Sequence, residues 1–525
     1  MSRIQILDCT LRDGGYCNQW KFGYNETKKI VNALVDANID IVECGFLTNQ
    51  VEYVKGITKF SSIEQFEEYI PSEKNGKQFV CMLNYGEYNV DDIPAYNGKS
   101  VDGIRVAFHK SDLDGAIELC KKISQKGYKV YVQPMVSLGY TDEEFISLIY
   151  KSNQINPYAF YIVDSFGVMK RKDLIRFFYM VEHNLKDTIK IGYHSHNNMQ
   201  LAYSNAQALV DIRTKKEIII DSSVFGMGRG AGNLNTELFV EYLNDNIGAN
   251  YVLKPLLSII DEILNRFYQE NYWGYSLPNY LSAAHNAHPN YASYLDEKKT
   301  LTIEGMNTIF SMMDAQKKIN YDKDYIEQLY VQFMEMGVAT DTNILEFKSL
   351  LKDKKVLIIA PGKSSIEQKE KVISCARKND VVTIGINFEY MPIQTDYIFV
   401  SNRRRFKELD VDVAKRCITT SNIPTTDSYI HTSYKELLND IEAVMDNAGM
   451  MLIQFLINMG VENIYVAGLD GYSMDPKENF AEEKMSYVSK KEKSEAINAG
   501  MKEMIERYKK HVHIESITTS KYMQF

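Results

Sequence analysis

The sequence predicts an α/β protein whose N-terminal part folds as a (β/α)8 TIM barrel. Short, almost continuously apolar runs alternate there with amphipathic stretches such as Glu26–Ala37, Leu113–Lys126 and Lys172–Asn184, a pattern typical of parallel strands covered by helices. Eight such runs within roughly 250 residues favour a closed barrel over the alternative, an open doubly wound sheet. The predicted strands are Ile4–Leu7, Ile39–Glu43, Phe79–Leu83, Gly103–Ala107, Lys129–Gln133, Ala159–Val163, Ile189–His194 and Glu217–Asp221.

The rest of the sequence predicts a helical region followed by a second α/β domain. We expect mostly helix from about Asn235 to Glu346, with a loop-like break at Tyr272–Pro278. After the polar segment Lys352–Lys355, the run Val356–Ala360 and a glycine turn begin a new strand pattern, typical of an open parallel sheet. Further strands are predicted at Val381–Ile386, Tyr397–Val400 and Ile464–Ala467. The predicted domains are residues 1–250, a TIM barrel; 251–350, a helical post-barrel extension; and 351–525, a Rossmann-like α/β domain.

Composition is that of a globular protein and argues against several partners. The 525 residues carry a net charge of −9 with acids and bases interspersed, so no nucleic-acid partner is expected. No apolar run approaches the roughly 18 residues of a membrane span, and the N-terminus lacks a signal-peptide pattern. Seven cysteines without a C-x-x-C pair indicate free thiols in a reducing compartment. We expect a cytoplasmic protein with no membrane span, and we expect it to form a homo-oligomer.

Polar residues stand at the ends of nearly all the predicted barrel strands. In a (β/α)8 barrel these ends converge at one mouth, where active sites are built. A single polar strand end is ordinary capping, but capping alone is a poor explanation for the whole row. The row consists of Arg12, Asp13, Glu43, Asn84, His109, Gln133, Asp164, Ser165, His194, His196 and Asp221. Within it, we expect Gln133 and Ser165 to contact substrate.

Two histidines one residue apart, His194 and His196, predict a metal site. Residues i and i+2 of a strand point to the same side, so both imidazoles can reach one divalent ion. A histidine pair alone could equally be part of a polar surface and not a metal site. Asp13, however, adds a carboxylate at another strand end. Oxygen and neutral imidazole ligands with open positions suit Mn²⁺ or Mg²⁺. We therefore predict Asp13, His194 and His196 as metal ligands.

Such an ion would act as a Lewis acid on a 2-oxo acid that chelates it through carboxylate and ketone oxygens. Polarising the ketone lowers the pKa of the adjacent C–H and stabilises an enolate. Arg12 is predicted to lie beside the developing oxyanion, where a fixed cation is most effective. The alternative for Arg12 is an ion pair that closes the barrel end.

A glycine-rich loop, Phe225–Asn233, follows the last predicted barrel strand. Its first part fits G-x-G-x-x-A, but a dinucleotide fingerprint belongs after the first strand of a βαβ unit, so NAD is not expected. Glycines here let the backbone approach a ligand closely. We predict that Gly230 contacts substrate and that Asn233 reaches the metal shell.

Three motifs together resemble the HMG-CoA lyase-like, or DRE-TIM metallolyase, superfamily. They are Asp8–Gly14, His194-Ser195-His196 and Gly228–Asn233, and the resemblance covers roughly residues 1–300. It implies a divalent metal, an enolate intermediate, and the making or breaking of a C–C bond next to a carbonyl. By this match Arg12 stabilises the enolate, Glu43 is the acidic member of the superfamily's name, Asp13, His194 and His196 bind metal, and Asn233 binds or adjoins it.

The glycine loop is similar to that of 4-hydroxy-2-oxovalerate aldolases and lacks the cysteine of HMG-CoA lyases. These aldolases carry a histidine soon after the Arg-Asp pair as acid/base, whereas Gly15–Trp20 contains none. Tyr16 is therefore the candidate for proton transfer, with a packing role as its alternative. Tyr275, His288 and Tyr291 could also lean over the mouth, although structural roles are favoured for each.

The second α/β domain carries Gly362-Lys363-Ser364 after its first strand. A Walker A motif needs glycine where Leu357 stands, so ATP hydrolysis is not expected. With Asn387, Thr395–Tyr397 and Gly468–Gly471, the segment resembles Rossmann-like domains of the DUF115 and bacterial sialyltransferase type. This resemblance implies a nucleotide or nucleotide-sugar site. The candidate contacts are Gly362, Ser364, Asn387 and Asp470; residues that only hold the sheet together are the alternative.

These observations predict a metal-dependent aldolase or lyase that acts through a pyruvate-type enolate on a 2-oxo acid and an aldehyde. The second domain suggests a setting in bacterial surface-glycan or nucleotide-sugar metabolism. Three alternatives stay open: Claisen chemistry on an acyl-CoA, a bifunctional protein with a C-terminal glycosyltransferase-like activity, and a degenerate barrel that acts as a scaffold.

Overall fold

The computed structural model describes residues 4–336, 343–425, 428–473, 475, 479–480 and 491–523. By its internal contacts the chain forms two compact units, residues 1–294 with 314–321, and residues 295–313 with 322–525. The predicted three-part division at residues 250 and 350 stays a prediction. None of the described helices is both long enough and apolar enough to cross a bilayer.

The first unit contains the predicted closed parallel barrel. Its strands are β1 (Ile4–Asp8), β2 (Ile41–Leu47), β3 (Lys59–Phe60), β4 (Gln78–Asn84), β5 (Gly103–Phe108), β6 (Lys129–Pro134), β7 (Ala159–Asp164), β8 (Lys190–Ser195) and β9 (Ile218–Ser222). Pairing of β1 with both β2 and β9 closes an eight-stranded cylinder, and the two-residue β3 adds to the end of β2. All eight predicted barrel strands are confirmed, and the open-sheet alternative is wrong.

Helices cover the barrel and continue beyond it. The three predicted amphipathic helices are confirmed as Tyr24–Asp36, Leu113–Gln125 and Arg171–Asn184. The other helices as far as residue 297 are Thr10–Asp13, Gly15–Asn18, Asp142–Ile155, Ala202–Asp211, Thr236–Ile247, Leu253–Ile259, the π-helix Ile260–Leu264, Asn265–Glu270, Leu277–Ala284 and Pro289–Glu297. The predicted break at Tyr272–Pro278 is shorter than expected. The Ser276 hydroxyl accepts the Asn279 N–H at 3.3 Å, so a helix starts at Leu277, and Pro278 is tolerated in its first turn.

The side chains that point into the barrel are apolar in its lower part and polar at the C-terminal ends of the strands, the mouth of the barrel. Leu7, Ile41, Tyr131, Tyr161 and Ile219 belong to one buried cluster inside the cylinder. Because side chains repeat with period two, residues two positions further along these strands, toward their C-terminal ends, share the inward face. Those positions carry Glu43, Gln133 and Asp221, together with Arg105 and His194 on the neighbouring strands. The fold therefore concentrates buried charge at one end.

The second unit contains an open sheet of seven parallel strands, in the order β14-β13-β12-β11-β10-β15-β16. The strands are β10 (Lys355–Ile359), β11 (Val381–Ile386), β12 (Tyr397–Val400), β13 (Cys417–Thr420), β14 (Ile430–Thr432), β15 (Asn463–Ala467) and β16 (His513–Ser516). Its α-helices from residue 303 onward are Ile303–Met312, Lys323–Met334, Ile344–Leu351, Ser364–Glu367, Lys369–Ala376, Arg403–Lys407, Val411–Ala414, Ala448–Met459 and Lys491–Tyr508. The four predicted strands and the open parallel sheet are confirmed, whereas β13, β14 and β16 were not predicted.

Packing inside the barrel generates a stability prediction at Gly192 on β8. A Cβ atom there would lie 2.2 Å from the ring of Tyr161, which is fully buried. Gly192→Ala should therefore destabilise the barrel by about 1–3 kcal/mol, measured as a lower thermal midpoint by circular dichroism. Gly139→Ala is the matched control, because its Cβ would make only an ordinary contact of 3.6 Å. Equal midpoints for the two variants would contradict this view of the interior.

Candidate active site

One carboxylate and two imidazoles converge at the barrel mouth. Asp13 ends the short helix Thr10–Asp13 that follows β1, His194 lies in β8, and His196 follows β8. One ligand atom from each of the three lies within 4.8 Å of the others, and all three residues are buried. The structure thus brings together the three residues predicted as metal ligands, from segments about 180 residues apart in the chain.

A hydrogen bond orients the His194 ring, and burial keeps the His196 ring neutral. His194 Nδ1 lies 2.9 Å from Asp221 Oδ2, so its N–H faces the carboxylate and the lone pair stays on Nε2. His196 Nδ1 is buried without a hydrogen-bond partner among the described atoms. Burial lowers the pKa of His196 to about 3, with Asp13 opposing this effect. The His196 ring is therefore neutral near pH 7, as metal coordination requires.

Asp13 is held as a carboxylate by its surroundings. Burial alone would raise its pKa, but the combined attraction of Arg12 and the two histidines lowers the pKa of Asp13 below its usual range. One oxygen lies 2.5 Å from Arg12 Nη1, and the other accepts a hydrogen bond of 2.6 Å from Asn233 Nδ2. An isolated β-bridge between His196 and Asn233 fixes this amide beside the triad.

The donor set fits a divalent cation. Asn233 Oδ1, like His196 Nδ1, is buried with no partner among the described residues, and buried polar atoms are rarely left unsatisfied. Gly228 keeps the space narrow, because a Cβ there would lie 2.4 Å from Asn233 Nδ2 and 2.9 Å from Asp13 Oδ2. One carboxylate, two neutral imidazoles and an amide oxygen are ligands that Mn²⁺ or Mg²⁺ accepts.

Arg12 lies beside this triad with one unused donor. Its Nε is 2.8 Å from Glu43 Oε2, and its carbonyl oxygen accepts a hydrogen bond of 2.8 Å from the Trp20 indole. The guanidinium nitrogen Nη2 is buried and has no hydrogen-bond partner among the described atoms. A fixed cation with a spare, desolvated N–H can stabilise negative charge on a nearby oxygen.

Arg105, which the sequence reasoning missed, connects the two halves of the site. This fully buried arginine on β5 lies 2.9 Å from Glu43 Oε1 and pairs with Asp221 Oδ2. Burial opposes its charge, but Asp221 and Glu43 raise the pKa of Arg105 well above its ordinary value. Glu43 thereby links Arg105 to Arg12, while Asp221 links it to His194. The signal in the sequence was an arginine in the middle of an apolar strand, Gly103–Phe108.

The predicted substrate contacts occupy three different settings. Gln133 faces Arg105, and its amide oxygen, when turned toward the guanidinium, accepts from Nε at 3.2 Å and Nη2 at 3.0 Å. Ser165 accepts the Val136 N–H at 2.9 Å and lines a cavity at the mouth. Gly230 has φ +67°, and a Cβ there would lie 2.8 Å from Asn198 Oδ1. Asn198, also missed, accepts the Ala231 N–H at 2.8 Å and so holds the glycine loop.

Some of the polar strand ends hold loops in place. Asp164 accepts the Val168 and Met169 N–H groups at 3.0 and 2.9 Å, and burial raises its pKa to about 6. Asp8 at the end of β1 similarly accepts the Thr10 N–H at 3.0 Å. Capping therefore explains part of the predicted row, whereas Glu43, His194 and Asp221 belong to the charged network.

A cavity of about 280 Å³ opens at the mouth of the barrel. Tyr16 lines it, is 39% exposed, and packs its ring 4.7 Å from that of Trp20. Of the three post-barrel residues considered from the sequence, His288 lines the cavity, Tyr291 is fully buried, and Tyr275 is 58% exposed. Arg229 also lines it, with its guanidinium 5.4 Å from the Tyr16 ring centre. The remaining polar lining includes Asn84, Glu87, His109, Asp112 and Asn320.

In the second unit, three of the four predicted nucleotide contacts lie together. Asp470 accepts hydrogen bonds from the Ser364 N–H at 2.8 Å and from the Ser364 hydroxyl. A Cβ on Gly362 would lie 2.7 Å from the Asp470 carboxyl group. Asn387, with φ +59°, instead accepts the Ser401 N–H at 3.3 Å. A protein carboxylate thus already takes the Ser364 N–H, and the nucleotide site stays a prediction.

Comparisons with known proteins concern the barrel part of the chain. Residues 3–259 match the model of the HMGL-like family. Residues 3–259 are an HMGL-like domain. The 4-hydroxy-2-oxovalerate aldolase of Geobacillus thermodenitrificans (strain NG80-2) is 25% identical over 277 residues, which cover 50% of this chain and 78% of that aldolase. The 4-hydroxy-2-oxovalerate aldolase 2 of Comamonas testosteroni is 26% identical over 242 residues, 45% of this chain and 67% of that protein.

A solved structure also resembles this part of the chain. It is the N-terminal domain of a protein from Bacteroides vulgatus that is described as an aldolase, with 28% identity and a TM-score of 0.49. The match covers 57% of this chain and 98% of that domain. The match of residues 3–259 to the HMGL-like family model confirms the predicted DRE-TIM resemblance for that part of the chain. The resemblance predicted for the C-terminal part stays a prediction.

The charged network generates a prediction at Arg105. Arg105→Met would leave the buried carboxylates of Glu43 and Asp221 without their shared cation, a change that costs about 3–5 kcal/mol. We expect a thermal midpoint lower by about 6–20 °C. Because His194 would lose its fixed orientation, manganese affinity should also fall by about 10–100-fold, as measured by calorimetry.

Arg213→Met is the matched control, since Arg213 is exposed in the loop before β9, at the opposite end of the barrel. If Arg105→Met bound manganese as tightly as this control, Arg105 would have no role in holding the site.

Proposed function

We propose that the HMGL-like domain is a divalent-metal-dependent aldolase of the 4-hydroxy-2-oxo acid type, acting on a 2-oxo acid and an aldehyde through a pyruvate-type enolate. The observation that carries the proposal is the position of Arg12. Its unpartnered Nη2 lies on the guanidinium that touches Asp13, so a buried cation with a spare donor adjoins the predicted metal ligands. Aldolases among the relatives of this domain support the same chemistry.

Asp13, His194 and His196 would hold Mn²⁺ or Mg²⁺, with Asn233 at its side. When bound, the cation would supply Lewis acidity to the carbonyl oxygen of the 2-oxo acid. Asp221 fixes the His194 tautomer that directs Nε2 toward the ligand site, and burial keeps His196 neutral. A role as metal ligands is consistent with the burial of both imidazoles.

Arg12 would act on the charge that develops during the reaction. In the condensation direction, a methyl proton of the 2-oxo acid passes to a base, and the carbonyl oxygen gains the negative charge. The spare Arg12 N–H donates to that oxygen, and Glu43 holds the guanidinium in place from the other side. The enolate carbon then forms a C–C bond to the aldehyde carbon, and the aldehyde oxygen takes up a proton. No net oxidation occurs, and cleavage is the reverse.

Tyr16 is our candidate for the proton transfer to the aldehyde oxygen. Its side chain lines the mouth cavity, and its hydroxyl makes no hydrogen bond with the described residues. A free phenol at the mouth can reach a substrate oxygen without breaking an existing bond. The proposed nucleotide or nucleotide-sugar partner of the second unit would place this reaction in surface-glycan metabolism. The open parallel sheet with a glycine turn after its first strand supports that setting.

Loss of a metal ligand should remove bound metal and activity together. His194→Ala and Asp13→Asn are expected to contain little manganese by elemental analysis. Both should also fail to exchange the methyl protons of pyruvate for deuterium, as followed by proton NMR. His183→Ala is the matched control, because His183 is an exposed residue on helix Arg171–Asn184. A metal-free variant that still exchanges these protons would refute the proposed function.

Arg12→Ala should separate metal binding from turnover. Asp13 and both histidines stay in place, so manganese content should remain close to that of the wild type. The rate of pyruvate proton exchange should fall by about 10²–10³, as when one oxyanion donor is removed. Arg213→Ala serves as the surface control, and a rate for Arg12→Ala close to that control would exclude Arg12 from the chemistry.

A further inference from the structure

Arg229, in the glycine loop at the mouth cavity, has no carboxylate partner among the described residues. Its Nε is buried without a hydrogen-bond partner, and its Nη2 reaches only the Ser165 carbonyl oxygen, at 3.4 Å. Its Nη1 lies 3.2 Å from His288 Nε2. A guanidinium offers five N–H donors in a planar fork, and here nearly all of them lack a good acceptor.

His288 does not resolve this excess of donors. Its Nδ1 accepts the Asn290 N–H at 3.2 Å, so the proton of a neutral ring lies on Nε2, facing the Arg229 guanidinium. Two N–H donors then point at the same space. Burial, reinforced by Arg229, lowers the pKa of His288 to about 2, so the ring is neutral at pH 7.

An oxygen atom on the cavity side could accept hydrogen bonds from both donors. Two nitrogens 3.2 Å apart can each lie about 2.8 Å from one such oxygen. The oxygen that best matches a guanidinium is anionic, in a carboxylate or a phosphoryl group. The Tyr16 ring covers one face of the guanidinium at 5.4 Å and so limits its contact with water. The pair is therefore arranged for an anion.

We propose that Arg229 and His288 form an anion-binding subsite for the second substrate, an aldehyde that carries a carboxylate or a phosphate group. The assignment to the second substrate rests on the proposed function, in which the 2-oxo acid occupies the metal and Arg12. Gly228, the neighbour of Arg229, approaches Asp13 and Asn233, so the subsite adjoins the reacting centre. Asn84, Glu87 and Asp112 in the same cavity can bind hydroxyl groups of such an aldehyde.

Paired substrates test the proposal in the full-length protein with manganese and pyruvate. D-glyceraldehyde 3-phosphate is compared with D-glyceraldehyde, and succinic semialdehyde with butanal, so that each anion has a neutral counterpart. The preference is the ratio of kcat/KM for the anionic and neutral members. We expect Arg229→Gln to lower this preference by about 100-fold and His288→Gln by about 10-fold, with Arg229→Lys intermediate because it keeps charge without the fork.

Arg213→Gln is the matched control and should keep the wild-type preference, because this exposed arginine lies in the loop before β9 at the other end of the barrel. Circular dichroism and manganese content establish that each variant is folded. A preference in Arg229→Gln equal to that of the control would overturn the subsite. The pair that shows the larger loss identifies the anion as phosphate or carboxylate.

Direct binding separates this proposal from the proposed function. Inorganic phosphate and butyrate, a carboxylate without a 2-oxo group, are titrated separately into the wild type, Arg229→Gln and Arg213→Gln by calorimetry. Binding that weakens by about tenfold or more only in Arg229→Gln supports the subsite, even if the wild type shows no pyruvate proton exchange and the aldolase proposal fails. Equal binding by all three proteins, or no binding by any, would overturn the subsite even if exchange is rapid.

Discussion

The barrel mouth depends on two buried carboxylates that share one buried arginine. Burying Glu43 or Asp221 without a counter-charge would be costly, and the Arg105 guanidinium on β5 reaches both of them, although β5 pairs with neither of their strands. Each carboxylate also contacts a second residue. Glu43 pairs with Arg12 through its other oxygen, and Asp221 forms a hydrogen bond with His194. Positive and negative groups therefore alternate from Arg12, the proposed oxyanion donor, to His194, a proposed metal ligand.

This alternation couples two tasks that would otherwise be independent. In the proposed function, the orientation of Arg12 determines where negative charge is stabilised, and the tautomer of His194 determines where a cation is held. Both residues contact a carboxylate that pairs with Arg105, and these carboxylates, Glu43 and Asp221, lie in strands of the closed sheet. Tyr161 reinforces the arrangement, since its hydroxyl donates to Asp221 at 3.0 Å and its ring lies 4.9 Å from the Arg105 guanidinium. Rigid support of this kind is what a pre-organised site requires.

Local pattern was enough to predict the barrel and the three residues Asp13, His194 and His196 that meet at its mouth. A strand can be recognised from the apolar residues of its own run, without reference to the rest of the chain. The period of two along a strand brings His194 and His196 to one side. Arg105 was missed because its partners come from β2 and β9, and only closure of the sheet brings Glu43 and Asp221 to it. Strand β14 was missed for a different reason: with three residues, it is too short for a period to be recognised.

The glycine loop shows how one segment can serve both the reacting centre and the cavity beside it. At Gly228 the absence of a side chain lets the backbone come within contact of Asp13 and Asn233, which any Cβ would prevent. The next residue, Arg229, lines the cavity at the barrel mouth. Its charge still acts on the centre, since Arg229 contributes to keeping Asp13 ionised. Two adjacent positions of one loop therefore serve different purposes, Gly228 the close approach to Asp13 and Asn233, and Arg229 the lining of the cavity.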